Sequence, residues 1–124
     1  MIMPEKARHL LVGEAAEKRA CRYLQDKGLR LVDRNLRTPH GEIDLIMMDH
    51  DTVVFVEVRY RKSGRYGLAE ETVTQGKQQK LVRSAQWFLQ RNNEHAGRPC
   101  RFDLVAITGD NQAGDPNWIT NAFF

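Results

Sequence analysis

The sequence lacks the features that mark several specialised classes of protein. Its 124 residues include only two cysteines, Cys21 and Cys100, which lie far apart, so a disulfide framework is not expected. No apolar run approaches the roughly 20 residues that a membrane-spanning helix needs, and the charges scattered through residues 1–11 do not fit a signal peptide. We therefore expect one soluble domain with no membrane segment, located in the cytoplasm.

Two common kinds of catalytic motif are also missing. The sequence has no glycine-rich loop of the kind that cradles nucleotide phosphates. Its four histidines share no metal-ligand spacing, and they form no zinc-binding pattern with the cysteines. A nucleotide-hydrolysing or zinc-dependent mechanism therefore has no support in the sequence.

The charge balance is only mildly basic, with a formal net charge of +3, but the basic residues are concentrated in the middle of the chain. They are Arg59, Arg61, Lys62, Arg65, Lys77, Lys80 and Arg83. A positive segment suits a polyanion, because neutralising phosphates releases condensed counterions. A solvated loop and helix face explains the same pattern equally well.

The apolar periodicity predicts the order helix, three strands, helix, strand. The predicted helices are residues 11–27, which end at Gly28, and 74–91. The predicted strands are 29–35, 42–48, 53–59 and 101–108, with a polar turn at 49–52. We expect a mobile loop at 63–71 and a turn-rich segment at 110–117. The C-terminal apolar residues expected to pack on the domain are Trp118, Ile119, Ala122, Phe123 and Phe124.

Two neighbouring predicted strands place carboxylates opposite one another. Alternate residues of a strand share a face, so Glu42 lies beside Asp44, and Glu57 lies beside Arg59 on the next strand. The opposite faces form the better core surface, with Ile43, Leu45, Met47, Val54, Val56 and Val58. If the hairpin turns symmetrically about residues 50–51, Asp44 pairs with Glu57 and Glu42 pairs with Arg59. Carboxylates opposed in this way are roughly 5 Å apart at Cβ and repel one another.

Several arrangements would relieve that repulsion. A divalent cation does so directly, because Mg²⁺ is commonly held by one or two carboxylates with water and phosphate oxygens. Protonation of one carboxyl, neutralisation by Arg59, or a bulge that shifts the register would also do so. Glu17, at the edge of the apolar stripe of the first helix, either leans towards the pair or stays solvated. The residue pattern alone leaves open a metal site and a structural charge network.

A larger, ordered set of residues resembles a known family. Its centre is Gly41-Glu42-Ile43-Asp44-Leu45-Ile46, followed by Phe55-Val56-Glu57-Val58-Arg59. Further matching positions cover nearly the whole chain: Gly13, Ala16-Glu17, Ala20, Tyr23-Leu24, Asn35, Arg37, Lys77, Lys80, Phe102-Asp103-Leu104, Trp118-Ile119 and Ala122-Phe123. The chain resembles the small bacterial UPF0102 (YraN-type) family, which is similar to archaeal Holliday-junction resolvases and other PD-(D/E)xK nucleases.

The resemblance implies a fold and an activity. It implies a single α/β domain over residues 1–124 with a restriction-endonuclease-like αβββαβ core, in which helices flank a mixed sheet. It implies a Mg²⁺ or Mn²⁺ site at Asp44 and Glu57, with Glu17, and cleavage of DNA, including branched or flapped structures. The residues expected to contact nucleic acid are Arg37, Arg61, Lys62, Arg65, Lys77 and Lys80. Junction-cutting nucleases of this fold act as dimers, so by analogy a homodimer is one option here.

One position departs from the nuclease motif. The residue two places after the second carboxylate is usually lysine, whereas here it is Arg59. Arginine stays protonated, so Arg59 cannot act as a general base, although it can bind the scissile phosphate and stabilise its charge. The departure leaves open a non-catalytic nucleic-acid-binding module on the same fold. A third hypothesis is an adaptor that binds a partner protein through the C-terminal aromatic residues.

Overall fold

The computed structural model describes residues 3–61, 73–109 and 116–123. Its helices are α1 (Glu5–Asp26) and α2 (Gln75–Arg91), and a 3₁₀ turn follows at Asn93–His95. Its strands are β1 (Arg30–Thr38), β2 (Gly41–Asp49), β3 (Thr52–Arg61), β4 (Cys100–Thr108) and β5 (Asn117–Ile119). The predicted order of elements is confirmed, and β5 is an additional short strand. The predicted loop 63–71 and most of the segment 110–117 lie outside the described residues.

The five strands form one mixed sheet in the order β1-β2-β3-β4-β5. β1, β2 and β3 are antiparallel neighbours, β3 and β4 are parallel, and β5 is antiparallel to β4. A parallel pair needs a crossover connection, and α2 lies in the connection between β3 and β4. The expected α/β fold, a mixed sheet flanked by helices, is therefore confirmed.

A helix covers each face of the sheet. One core cluster joins α1 to β2 and β3 and includes Ala16, Ala20, Leu24, Leu45, Met47, Val54 and Val56. The other joins α2 to the same strands and includes Ile46, Met48, Val53, Phe55, Leu81, Ala85 and Phe88. The expectation of one better core face on the hairpin is corrected, because both faces are buried. Neither helix, in the part of the chain that the structure describes, is long and apolar enough to cross a membrane.

The C-terminal segment is anchored by Asp103, which is fully buried on β4. The indole Nε1–H of Trp118 donates to Asp103 Oδ2 at 2.9 Å, and the backbone N–H of Asn121 donates to Oδ1 at 3.1 Å. Arg101 Nε lies 3.0 Å from Asp103 Oδ1, so Asp103 also forms an ion pair with a basic side chain of its own strand. Phe123 is buried in the α2 cluster. Docking of the C-terminal apolar residues is thus confirmed for Trp118 and Phe123, and it leaves the adaptor hypothesis with less exposed aromatic surface.

Candidate active site

The β2–β3 hairpin has the predicted register up to the candidate site. Met48 pairs with Val53, and the ladder continues to Leu45, which pairs with Val56. The ladder ends there. One residue further along β2, Asp44 Oδ2 accepts a hydrogen bond at 2.8 Å from the backbone N–H of Val58. The Asp44 carboxylate therefore takes the place of a backbone acceptor and is held in a defined position.

The expected pairs Asp44–Glu57 and Glu42–Arg59 are not part of this ladder, so those two expectations are corrected. Glu42 instead pairs with Arg37 of β1. Arg59 lies next to Glu57, with Arg59 Nε 3.5 Å from Glu57 Oε1. These pairs do not form because the β2–β3 ladder ends at Leu45 and Val56. Beyond that point the carboxyls of Asp44 and Glu57 face a common cleft, and neither residue has a cross-strand partner in that ladder.

Lys77 reaches Glu57 from α2. Its Nζ lies 2.9 Å from Glu57 Oε1, and the Glu57 side chain is only 3% exposed. The position of Lys77 follows from the start of the helix, because Thr74 Oγ1 accepts the backbone N–H of Lys77 at 3.2 Å as an N-cap. This cap is visible in the sequence and predicts the first helical turn. The contact between Lys77 and Glu57 cannot be predicted from the sequence, because it depends on how α2 crosses the sheet.

The three carboxyls predicted at this site influence one another. Burial, followed by the negative charge of Glu57, raises the pKa of Asp44 to about 8, and Glu17 acts in the same direction. The hydrogen bond from Val58 and the charge of Lys77 oppose this rise. Burial also raises the pKa of Glu17, against a hydrogen bond from Asn35. The region therefore favours neutral carboxyls or a bound cation.

A cleft of about 350 Å³ collects most of the predicted site residues. It is lined by Gly13, Ala16, Glu17, Asp44, Glu57, Val58, Arg59, Tyr60, Arg61 and Lys77. An adjoining cleft of about 440 Å³ shares Asp44, Glu57 and Lys77, and it adds Lys80 and Glu42. Arg37 is exposed on β1 and lines neither cleft. Lys62 and Arg65 lie outside the described residues.

The carboxyl pair fits a hard divalent cation by its chemistry. Within residues 3–61, 73–109 and 116–123, no group of three or more His, Cys, Asp and Glu side chains could hold a metal ion. Mg²⁺ does not need such a group, since it usually keeps several waters and takes one or two carboxylates. Both ion pairs of Glu57 involve Oε1. Because the negative charge of Glu57 raises the pKa of Asp44, a cation bound to both carboxyls would favour the ionised form of Asp44.

Comparison with known proteins identifies the family. The family model described as "Uncharacterised protein family UPF0102" matches residues 16–107. A UPF0102 protein of Stutzerimonas stutzeri (strain A1501) is 56% identical over 111 residues, which cover 90% of this chain and 92% of that protein. A UPF0102 protein of Pseudomonas fluorescens (strain Pf0-1) is 50% identical over 121 residues, 98% of each chain. One from Nitrosococcus oceani is 49% identical over 117 residues, 94% of each. The chain therefore belongs to the UPF0102 family.

Proposed function

We propose that the protein is a metal-dependent nuclease that cleaves a phosphodiester bond of DNA in the cleft beside Asp44 and Glu57. One observation carries the proposal: two carboxyls and a lysine ammonium surround a polar cleft where the β2–β3 ladder ends. Perturbed carboxyls in a cleft are a common feature of catalytic sites. The resemblance to PD-(D/E)xK nucleases adds the type of reaction.

Asp44 and Glu57 would hold Mg²⁺ or Mn²⁺, and Glu17, which forms no three-carboxylate group with them, would orient a water. The metal, when bound, supplies positive charge that polarises the phosphate and makes a water molecule a better nucleophile. The protein supplies rigid positions for the carboxyls. Val58 fixes Asp44 through its backbone N–H, and Lys77 and Arg59 hold Glu57 from two directions.

Lys77 supplies a lysine to the site, although the motif position that usually carries lysine is occupied by Arg59. The nuclease motif usually provides a lysine two residues after the second carboxylate, and Arg59 cannot serve as a base in that place. Lys77 brings an amine to the same carboxylate from a different element. Arg59 is left to bind the charge that develops on the phosphate, as guanidinium groups do well.

Nucleic acid is the proposed partner because basic side chains border the two clefts. Arg59 and Arg61 line the first, Lys80 lines the second, and Lys77 lines both. These residues would contact phosphates and position the backbone without reading the sequence. The resemblance to junction-cutting nucleases adds a preference for branched or flapped DNA to this proposal. The proposal also includes a cytoplasmic location, because both cysteines are free thiols.

A homodimer is the assembly that we propose with this function. The large apolar side chains exposed near the start of α1 are those of Met3, Leu10, Leu11 and Val12. The same helix contributes Gly13 and Glu17 to the first cleft, so a second copy seated on these side chains would lie beside the site. Light scattering should report a dimer for the wild type and a monomer for Leu10→Glu. A monomeric wild type would refute this part of the proposal alone.

The test is a cleavage screen over duplex, flapped and four-way-junction DNA with Mg²⁺ and Mn²⁺. We expect Asp44→Asn and Glu57→Gln to lose cleavage and to lose metal binding in titration calorimetry. Asp51→Asn, an equal change of charge in the exposed β2–β3 turn, is the control and should behave as the wild type. Unchanged cleavage in both site variants would rule out this site. Salt-sensitive DNA binding without cleavage under any metal would favour the non-catalytic binding module.

A further inference from the structure

A separate cleft, which we call the basic cleft, is lined by Lys18, Arg22 and Arg34 together with Cys21 and Gln25. Its volume is about 230 Å³. Lys18 and Arg22 are one helical turn apart on α1 and therefore share a face of the helix. Arg34 approaches them from β1, close enough for its charge to act on the thiol of Cys21.

The three cations of the basic cleft form no salt bridge with any residue that the structure describes, and the carboxyls of Glu14 and Glu17 line a neighbouring cleft. None of the described residues that line the basic cleft itself is acidic. Arg101, in contrast, is neutralised in place by Asp49 and Asp103. Like charges gathered around a concave surface repel one another, and a bound anion would relieve that repulsion.

The basic cleft is connected to the candidate active site. An intermediate cleft lined by Glu14, Glu17, Lys18, Arg34, Asn35 and Leu45 shares Lys18 and Arg34 with it. That intermediate cleft shares Glu17 with the active-site cleft.

We infer that the basic cleft binds a phosphodiester group of the nucleic-acid backbone, beside the site of cleavage. The inference rests on the proposed function. It adds a contact surface on α1, whereas Lys77 and Lys80 lie on α2, which covers the opposite face of the sheet. The substrate backbone would then pass from one helix to the other where the β2–β3 ladder ends, with phosphates held on both sides of Asp44 and Glu57. Such contacts position the strand and carry no sequence information.

The test compares Arg22→Gln/Arg34→Gln with Arg91→Gln/Arg98→Gln. Both double variants remove two positive charges from exposed side chains, but Arg91 and Arg98 lie at and beyond the far end of α2. Binding of a labelled DNA duplex is measured by fluorescence anisotropy at several KCl concentrations, and circular dichroism checks the fold of each variant. Each lost phosphate contact lowers the slope of log K against log salt by about 1. Because Arg22 and Arg34 would contact the same phosphate, the salt slope of the basic-cleft variant should be smaller by about 1, and the control should keep the wild-type slope.

The outcomes separate the two proposals. If the wild type binds duplex DNA and both double variants show its slope, the basic cleft is not a phosphate site, and the nuclease proposal stands. If the wild type binds no nucleic acid at any salt concentration, both proposals fail. A slope reduced in the basic-cleft variant alone supports the inference, because equal changes in net charge exclude a general electrostatic effect.

Discussion

Lys77→Met removes the ammonium that lies 2.9 Å from Glu57 Oε1 and keeps an unbranched side chain of similar length. The loss of stability should be moderate. A hydrogen bond to a charged group contributes about 1.5–3 kcal/mol. The lower end applies here, because the Lys77 side chain is 41% exposed and Arg59 remains 3.5 Å from the same oxygen. Urea unfolding should therefore show a folded variant that is less stable by about 1.5 kcal/mol.

Metal binding should change in the opposite direction. Two unit charges about 4 Å apart in water repel by about 1 kcal/mol, and a divalent ion beside an ammonium by about twice that. Removing the ammonium should therefore strengthen Mn²⁺ binding by about 2 kcal/mol, or roughly 30-fold. Titration calorimetry of the wild type and Lys77→Met measures this directly. A purely structural ion pair predicts the reverse, since loosening Glu57 would weaken the metal site.

Cleavage should fall although the metal binds more tightly. Loss of one preorganised charge in a catalytic site typically lowers the rate about 10²–10³-fold. The double variant Lys77→Met/Arg59→Lys returns a lysine to the neighbourhood of Glu57 from β3, and we expect it to recover cleavage. Weaker Mn²⁺ binding in Lys77→Met, or unchanged cleavage in it, would refute the role given to Lys77. The calorimetric result is informative even for a protein that does not cleave DNA.

Three further outcomes are expected. The pKa of Asp44 in the fold, about 8, lies above its unfolded value near 4, so stability is lost as pH rises from about 4 to 8. In metal-free buffer, Asp44→Asn should match the wild type at pH 4 and exceed it at pH 9 in urea unfolding by up to about 5 kcal/mol, at about 1.4 kcal/mol per pKa unit; an equal difference at both pH values would contradict this. Asp103→Ala should cost about 3–5 kcal/mol, because Trp118, Asn121 and Arg101 would each lose an acceptor at about 1–3 kcal/mol, while Arg101 keeps its ion pair with Asp49; a melting temperature like that of the wild type would be inconsistent with this. Asn35 has φ of +51°, so Asn35→Ala should be less stable than Asn35→Gly by about 1–2 kcal/mol, whereas equal stability would show that the backbone relaxes.

Local patterns were sufficient to predict most of the elements and half of the candidate site. The side chains of residues 42–48 and 53–59 point alternately to the two faces of a hairpin with a polar turn between them. That turn sets the register that places Met48 opposite Val53. His50 adopts a left-handed conformation in that turn, with φ of +53°. The same alternation placed Asp44 and Glu57 on one side of the hairpin, where the cleft now has them. The period of the strand and the length of the turn are local properties, so the sequence alone carries them.

Contacts between distant elements could not be predicted in this way. The ladder ends at Leu45 because Asp44 accepts the N–H of Val58, a choice between backbone and side-chain acceptors that no periodicity encodes. The ion pair between Lys77 and Glu57 depends on the crossing of α2 over the sheet.

The sequence by itself determined the order of the elements, the hairpin register and the identity of the carboxyl pair. Only the tertiary structure decided which cations face that pair and where Lys18, Arg22 and Arg34 converge. Helix periodicity predicts which side chains share a face of α1, but the approach of Arg34 from β1 depends on how the helix packs on the sheet.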